Sequence, residues 1–288
     1  MQIFAQTFAV FLATFVALTL GTPAEFQNHV VLEEPLYVSC GGVLNTSTAT
    51  ISYKPDSSIS PNERCVWTIR SAATRGYSLD VLSFGLQSQP EETGVVATCI
   101  RSDIELLPSV EIFGTGAVTL SSVCPILVIT YYSGENVDNS TGFAVTYNSI
   151  SGSTGVSSGS RQYISNGDEG YVRHPSTACT TYTNLEVSSF IFMPPDNIHN
   201  PDKKSSVTYT LNSLEEDGCI DNLRVFRFSP SIGWLHNYSI PEDYICGNTT
   251  FKSWAIDDML MLIFRSDVSD VYNGFQLTYT NLPTSNSV

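Results

Sequence analysis

The two halves of the sequence close with the same pattern of residues. Residues 127–147 contain an apolar run, a polar turn and a final segment, Gly142 to Tyr147, in which every second residue is apolar or aromatic. Residues 261–279 repeat this order and finish with the segment that begins at Gly274. Alternation with a period of two is typical of a strand with one buried face. The repeat therefore predicts a duplicated β domain, and a sandwich is the natural way to bury such strands.

A segment made mostly of Ser and Gly, residues 149–160, separates the two copies. This composition is typical of a flexible linker. We therefore expect an all-β fold with two sandwich domains in tandem, one over residues 37–148 and the other over residues 161–281. Abundant Ser, Thr, Val, Tyr and Phe also favour strands and turns over helices.

The N-terminal residues 1–24 have the features of a secretory signal peptide. No charged residue occurs from Ile3 to Leu20, and small residues follow directly. A membrane anchor is the alternative, which the length of the run barely permits. The tail, residues 281–288, is polar, so we expect no C-terminal span or lipid-anchor signal. The sequence thus predicts a secreted, extracellular protein.

The charge balance limits the kinds of partner that the chain can bind. It carries 28 acidic and 13 basic residues, which gives a formal net charge of −15. A protein that binds phosphate groups needs a basic surface, so the balance argues against nucleic acid and against an anionic membrane. Solubility is the simplest reason for an excess of this kind.

The cysteines suggest disulfide bonds in an oxidising compartment. No C-x-x-C spacing occurs, which argues against structural zinc. Because the number is odd, one thiol remains after pairing within the chain. The seven cysteines stand at positions 40, 65, 99, 124, 179, 219 and 246. Four sequons fit a secreted glycoprotein, and they begin at Asn45, Asn139, Asn237 and Asn248.

Short motifs around these cysteines resemble the CUB domain family. The first copy has Cys40 followed by two glycines, and then Cys65 followed by the elements Trp67 and Ile69. The resemblance covers roughly residues 37–148 and 161–281, and it rests on the order and duplication of the elements more than on any one of them. Further matching segments are 99–106, 133–147, 170–175, 219–225, 244–247 and 264–275.

The resemblance to CUB domains implies a jelly-roll sandwich for each copy. It also implies three disulfides, which are Cys40–Cys65, Cys99–Cys124 and Cys219–Cys246. In the second copy Cys179 matches the family's second cysteine, Thr181 stands at the tryptophan position, and the family's first cysteine is missing near Ser160. The leftover Cys179 is then either a buried free thiol or the site of an intermolecular disulfide, which would give a disulfide-linked dimer.

The same resemblance implies one calcium ion at one end of the second sandwich, where it organises loops that bind a partner's basic side chain. The ion takes oxygen ligands from separate loops, and the matching residues are Glu215 (or Glu216), Asp221, Asp267 and Asp270, with a backbone ligand around Ser269. In the first copy the corresponding positions read as Gln87, Ser102 and Gly134. We therefore expect calcium in the second domain and a structural role for the first. Three acids on solvated turns are the simpler alternative.

The sequence offers little support for catalysis. Gly155 to Gly159 matches the G-x-S-x-G motif around Ser157, but that motif acts only on a strained turn between a strand and a helix. The four histidines show no H-E-x-x-H spacing. A thiol dyad of His174 and Cys179 is conceivable, but a Cys packed in a β core is the simpler interpretation. We expect a protein that is not an enzyme.

Two functions remain. The first is extracellular protein–protein recognition, in which the calcium site of the second domain accepts a Lys or Arg of a protein partner. The second is a glycan-binding or coating component of a secretion such as seminal fluid, venom or mucus, without calcium dependence. A calcium requirement for ligand capture would favour the first function, and binding that survives EDTA but is competed by sugars would favour the second.

Overall fold

The structure is a computed structural model of the 288-residue chain. The residues predicted as a signal peptide and the sequons at Asn237 and Asn248 lie outside the described residues. The described residues, all of which lie between 34 and 281, belong to one compact unit. The structure describes residues 34–87, 92–102, 109–120, 123–165, 167–176, 178–202, 205–214, 219–230, 232–236, 245–247, 252–256 and 258–281.

The first half of the described chain forms a β-sandwich, here called sandwich 1. Its outer sheet has the strand order β1-β3-β10-β5-β8, and its inner sheet has the order β2-β4-β9-β6-β7. The strands are β1 Leu36–Tyr37, β2 Gly42–Leu44, β3 Thr48–Ser58, β4 Arg64–Ile69, β5 Thr74–Phe84, β6 Gly94–Ile100, β7 Val110–Ile112, β8 Gly116–Val118, β9 Ile126–Tyr132 and β10 Thr141–Ser151.

The second half forms sandwich 2. Its inner sheet has the order β11-β13-β18-β15-β16, and its outer sheet has the order β12-β19-β14-β17. A 3₁₀ turn, Pro195–Asn197, follows β13. The strands are β11 Gln162–Ser165, β12 Glu169–His174, β13 Val187–Phe192, β14 Ser205–Ser213, β15 Asn222–Ser229, β16 Gly233–His236, β17 Lys252–Ile256, β18 Leu260–Arg265 and β19 Gly274–Asn281.

Apart from β1, which has no counterpart in the described part of sandwich 2, the two sandwiches have the same strand order, so the ladders match the paired residues of one to those of the other. Trp67 pairs with Ile129 in sandwich 1, and Phe190 pairs with Leu262 in sandwich 2. Counting from such pairs matches β2 to β11, β3 to β12, β4 to β13, β5 to β14, β6 to β15, β9 to β18 and β10 to β19. The predicted all-β fold of two tandem sandwiches is confirmed.

Each sandwich has its own apolar core between its two sheets. In sandwich 1 the core surrounds Trp67, whose ring lies edge-on to Phe143 at 5.9 Å between centroids. In sandwich 2 Phe190 takes the place of this tryptophan and packs edge-on to Phe275 at 5.4 Å. Aromatic pairs in this geometry contribute about 0.5–1.5 kcal/mol beyond the apolar area that they bury.

A third apolar cluster joins the inner sheets of the two sandwiches. In β4 and β9 alternate residues point into the core of sandwich 1, while Val66, Val128 and Tyr132 point to the other side and meet sandwich 2. The ring of Tyr132 lies 5.3 Å from that of Phe228, and Trp234 Nε1 donates to Thr130 Oγ1 at 2.9 Å. The inner strands are therefore buried on both faces, which explains their continuous apolar sequences.

Polar contacts at the margin of this interface fix how the two sandwiches meet. The guanidinium of Arg64, almost fully buried, donates to both carboxylate oxygens of Asp258 at 2.9–3.0 Å. A bidentate pair of this kind adds orientation as well as attraction. His199 N also donates to the carbonyl of Asn62 at 2.8 Å, so backbone from sandwich 2 bonds to sandwich 1.

The segment predicted as a linker makes specific contacts. Its first residues, 149–151, belong to β10. Arg70 donates from its guanidinium to the carbonyls of Ser157 and Ser160. Ser160 is buried, and its hydroxyl accepts from Val187 N at 3.0 Å. The Ser and Gly composition here serves close packing against both sandwiches, because small side chains let the backbone approach them.

The three predicted disulfides are confirmed, with Cα–Cα distances of 4.9, 5.2 and 5.4 Å for the first, second and third pair. The second and third disulfides do not occupy equivalent positions in their two sandwiches. Cys99 lies near the end of β6 and matches Arg227, whereas Cys219 precedes β15. The two bonds therefore fasten opposite ends of corresponding strands, although they close loops of similar length.

The match of Cys179 to the family's second cysteine is wrong. Cys65 pairs with Tyr131 and Ser188 pairs with Phe264, so Ser188 occupies the position of Cys65. Its hydroxyl accepts from Arg161 N at 2.7 Å, which puts a hydrogen bond where sandwich 1 has a disulfide. The tryptophan position belongs to Phe190 and not to Thr181. The interpretation of Cys179 as a buried thiol is also wrong, because the residue is exposed.

We expect the contact around Trp234 to make the two sandwiches unfold together. Trp234→Ala should cost about 3–5 kcal/mol of the free energy of unfolding, because it leaves a cavity between the inner sheets. It should also split the calorimetric transition into two. Trp234→Phe is the matched control, since it keeps most of the apolar contact and loses only the bond to Thr130, worth about 1 kcal/mol. An unchanged melting profile for Trp234→Ala would contradict the interface.

Candidate functional site

Three loops meet at one end of sandwich 2. The first precedes β13 and carries Tyr182, the second precedes β15 and carries Asp221, and the third follows β18 and carries Asp267. Leu185 N donates to the carbonyl of Asp267 at 2.6 Å and so ties the first loop to the third. Asp221 and Asp267, both predicted from the sequence, are brought together here.

Asp221 is fully buried and accepts a hydrogen bond at each carboxylate oxygen. The Tyr182 hydroxyl donates to Oδ2 at 2.5 Å, and Asp267 N donates to Oδ1 at 2.8 Å. Burial raises the pKa of Asp221; the two hydrogen bonds oppose this effect, the charge of Asp267 adds to it, and Arg265 opposes it. The net pKa is raised, which indicates a carboxylate that lacks sufficient positive charge nearby.

The Asp267 carboxylate stabilises a turn in its own loop through hydrogen bonds with Ser269. Its Oδ1 accepts from Ser269 N at 2.7 Å, and the Ser269 hydroxyl lies 3.2 Å from both carboxylate oxygens. Asp270 follows in the same loop, is exposed and has a φ of 36°. Glu215, the fourth predicted ligand, lies outside the described residues. Two of the four predicted ligands are therefore in contact, and the third shares a loop with one of them.

The donor set can be compared with the needs of a calcium ion. Calcium takes six to eight oxygen ligands, mostly carboxylates and carbonyls. Among the residues that the structure describes, no group of three or more His, Cys, Asp or Glu side chains could hold a metal. Asp221, Asp267 and the Tyr182 hydroxyl offer the right kind of atom, but too few of them to complete a site without Glu215, backbone carbonyls or water.

A buried contact between a histidine and a glutamate lies directly beneath these loops. His174 Nε2 is 2.9 Å from Glu186 Oε2, and both side chains are almost fully buried. Glu186 Oε1 accepts from Thr183 N and from the Thr183 hydroxyl, each at 2.7 Å. Glu186 N donates to Ser266 Oγ at 2.9 Å, so the pair supports the residue just before Asp267. The sequence motifs described above do not predict these roles of Glu186 and Ser266.

Sandwich 1 has no carboxylate at the positions equivalent to the site. The ladders match Ile59 to Tyr182, Thr93 to Asp221 and Gly134 to Asp267. The hydrogen bond that joins the two loops is nevertheless kept, because Gly134 N donates to Thr93 Oγ1 at 3.2 Å. The assignment of Ser102 as the counterpart of Asp221 is wrong, since the register places Thr93 there, whereas the assignment of Gly134 agrees with the register.

Apolar side chains surround the acidic loops. Five of the large exposed apolar residues of the described chain lie in these loops, and Val268 is the most exposed of them at 69%. The Tyr272 ring lies 6.5 Å from that of Tyr182, which connects this rim to Asp221. We call the set the apolar rim, and its members are Leu185, Ile220, Val268, Val271 and Tyr272. Exposed apolar residues gathered beside buried charges are typical of an interaction surface.

Ser157, the centre of the G-x-S-x-G match, lies in the irregular segment between β10 and β11. Its hydroxyl lies 2.7 Å from that of Thr183 and accepts from Gly159 N at 3.0 Å. These bonds form a local turn that docks on sandwich 2, and the segment does not lead from a strand into a helix. The motif therefore lacks the backbone setting that a nucleophile elbow requires.

No protein-family model matches the chain, and no curated protein matches it. Similar solved structures include the CUB1-EGF-CUB2 region of human MASP-1/3, at 14% identity and a TM-score of 0.32, over 82% of this chain and all of that one. The corresponding region of rat MASP-1 is 16% identical with a TM-score of 0.31, and the match covers 83% of this chain and 99% of that one. The full extracellular region of zebrafish Gpr126/Adgrg6 is 14% identical with a TM-score of 0.33, and the match covers 83% of this chain and 37% of that one.

The two MASP structures contain CUB domains, the family that the sequence motifs resemble. Their identities and scores are too low to assign the chain to a family or to transfer a partner. Separately, the described part of the chain contains no helix of the length and apolar character that crossing a bilayer requires.

We predict that Glu186→Gln destabilises the fold by roughly 1.5–3 kcal/mol at neutral pH, the range for hydrogen bonds to a charged group. Burial alone would raise the pKa of Glu186, but bonds from His174 and Thr183 lower it below its ordinary value of 4.5. The stabilisation is thus present above that value and is lost as the pH falls through the lowered pKa.

Unfolding of both proteins should therefore be measured from neutral to acidic pH, where their difference should shrink. Glu135→Gln, at an exposed acid of sandwich 1, is the control and should change stability by less than about 0.5 kcal/mol. A difference that does not depend on pH would contradict a role for the charge of Glu186.

Proposed function

We propose that this chain is an extracellular binding protein without catalytic activity, and that sandwich 2 recognises a protein partner through the site around Asp221 and Asp267. The observation that carries the proposal is a buried carboxylate with a raised pKa beside a second carboxylate, framed by the apolar rim. An acidic centre inside an apolar border fits a Lys or Arg whose neighbours are apolar. The three disulfides support an oxidising compartment.

The sequence resemblance and the acidic pair together support calcium at this site. Asp221 and Asp267 would hold the ion, with Glu215 from the loop before β15 and Asp270 or the backbone near Ser269 completing its ligands. A bound cation would offset the repulsion between Asp221 and Asp267 and fix the loops on which the apolar rim stands. In this proposal the ion would hold the loops in one arrangement, and the side chains on those loops would orient the partner.

We expect calcium at about 1–2 mM to stabilise the protein by about 0.4–1.8 kcal/mol, as for extracellular sites with dissociation constants near 0.1–1 mM. Asp221→Asn and Asp267→Asn should each abolish this response, because the isosteric amide keeps the size of the side chain but loses its charge. Calorimetry with calcium and with EDTA measures the effect.

Asp80→Asn is the matched control for this test. Asp80 is an exposed acid on β5 of sandwich 1, so the variant should keep the full calcium response. A wild-type melting curve that is the same in calcium and in EDTA would remove calcium from the proposal, but it would leave the acidic surface itself to be tested by capture of partners from native extracellular fluid.

A glycan-binding function is the second candidate, and one observation favours it. The solvent face of the outer sheet of sandwich 1 carries rows of hydroxyl groups, where Thr50 Oγ1 lies 2.8 Å from Thr146 Oγ1 and Thr48 donates to Asn148. Binding that survives EDTA and is competed by free sugars would support this function. Binding that is lost in EDTA, or on Asp267→Asn, would support protein recognition.

Cys179 gives a separate proposal about assembly. The residue is exposed and free in a chain whose other six cysteines form disulfides. We expect a covalent dimer through Cys179 that appears at twice the monomer mass in non-reducing electrophoresis and disappears with reductant. Cys179→Ser should give only monomer under both conditions. A wild-type chain that runs as monomer without reductant would contradict this proposal.

A further inference from the structure

The outer sheets of the two sandwiches differ at one edge. In sandwich 1 the strand β3 is covered by β1, which pairs with it in parallel from Leu36 opposite Thr50. The equivalent strand in sandwich 2 is β12, and it forms the end of its sheet with β19 as its neighbour. No strand in the described residues pairs with the other side of β12. A free strand edge offers backbone donors and acceptors to another strand.

The ladders show which residues of β12 direct their backbone groups outward. Thr50 N donates away from β10, to the carbonyl of Pro35, at 2.9 Å. Thr50 is equivalent to Tyr171, so the backbone N–H and C=O of Tyr171 also point to the free edge. The carbonyl of Arg173, two residues on, accepts from Arg161 Nη1 at 2.6 Å, which agrees with this assignment. Residues 169, 171 and 173 thus share the outward direction.

The side chains of the same three residues lie on the solvent face. Val172 and His174 are buried in the core of sandwich 2, whereas Tyr171 is 58% exposed and Glu169 is exposed. Arg173 is partly exposed. The edge therefore shows, in order, an acid, an aromatic ring and a base. Such an order is self-complementary when the strand runs antiparallel to a copy of itself.

We propose that β12 pairs antiparallel with β12 of a second copy of this chain around a two-fold axis at Tyr171. Each Tyr171 then faces the same residue of the second copy, and the two exchange both N–H···O=C bonds because both point outward. Glu169 of each copy faces Arg173 of the other, so two opposite charge pairs form on the solvent face. The outer sheets join into one continuous sheet with an isologous interface.

The charges decide the occupant of this edge. A parallel arrangement in the same register would place Glu169 opposite a second Glu169 and Arg173 opposite a second Arg173, which is unfavourable. In the antiparallel arrangement both pairs are attractive. Arg161 occupies one lone pair of the Arg173 carbonyl, so the two bonds at Tyr171 carry the centre of the contact. A contact of one short strand is small, and we expect a weak, reversible dimer.

The backbone part of the proposal is tested in a Cys179→Ser background, which removes any disulfide-linked dimer. Sedimentation velocity over a range of protein concentrations should show reversible dimerisation. Tyr171→Pro should abolish it, because proline removes the outward N–H and leaves the bonds between β12 and β19 intact, as is tolerated at a sheet edge. Tyr171→Thr keeps the N–H and should retain dimer. A chain that stays monomeric at all concentrations, or a dimer that persists in Tyr171→Pro, would overturn the proposal.

Charge exchange tests the pairing itself. Glu169→Arg alone and Arg173→Glu alone each create two like-charge pairs and should weaken dimerisation at least about tenfold. An equimolar mixture of the two variants should dimerise again, since each Arg then faces a Glu across the axis. Asp80→Arg makes the same charge change as Glu169→Arg at a distant exposed site and should leave dimerisation unchanged. A mixture that stays monomeric while both variants remain folded would overturn the proposal.

Discussion

The contact between the two inner sheets is the interaction on which the rest of the structure depends. Strands β4, β6 and β9 bury one face in the core of sandwich 1 and the other against sandwich 2, so the core of sandwich 1 and the interface share the same strands. A strand buried on both faces cannot shift its register by one residue without moving every side chain into the wrong layer. The interface therefore fixes the sheets as well as joining them.

This arrangement decides which surfaces remain for recognition. The inner sheets bury their outward faces against each other, and the segment 149–160 packs across both sandwiches through Arg70 and Ser160. The loops at the end of sandwich 2 and the outer sheet edges are left at the surface. The loop site stands on the buried pair of His174 and Glu186, whose hydrogen bonds reach Thr183 and Ser266 on either side of the acidic loops.

The sequence predicts the duplicated β fold, and its resemblance to CUB domains implies the three disulfides and names Asp221 and Asp267 as members of one site. It failed where the answer depended on register. The sequence matches Cys179 to the family's second cysteine, which is Cys65 in sandwich 1. The pairing of β13 with β18 instead gives that position to Ser188, and no local sequence pattern reveals the substitution. The sandwich contact was also missed, although the signal exists: residues 126–132 and 259–264 are apolar without alternation, which indicates strands buried on both faces.

Comparison of the two copies shows where the proposed recognition site differs from the matching end of sandwich 1. Both retain the same backbone frame: Asn62 and Leu185 have φ values of 58° and 59°, and each donates to the carbonyl that Gly134 or Asp267 provides. Only the side chains on this frame differ, from neutral in sandwich 1 to carboxylate in sandwich 2. A left-handed backbone is costly for a leucine, and in sandwich 2 it places an exposed apolar side chain beside the acids. The frame is thus a property of the fold, and the two ends differ in the charge that is placed on it.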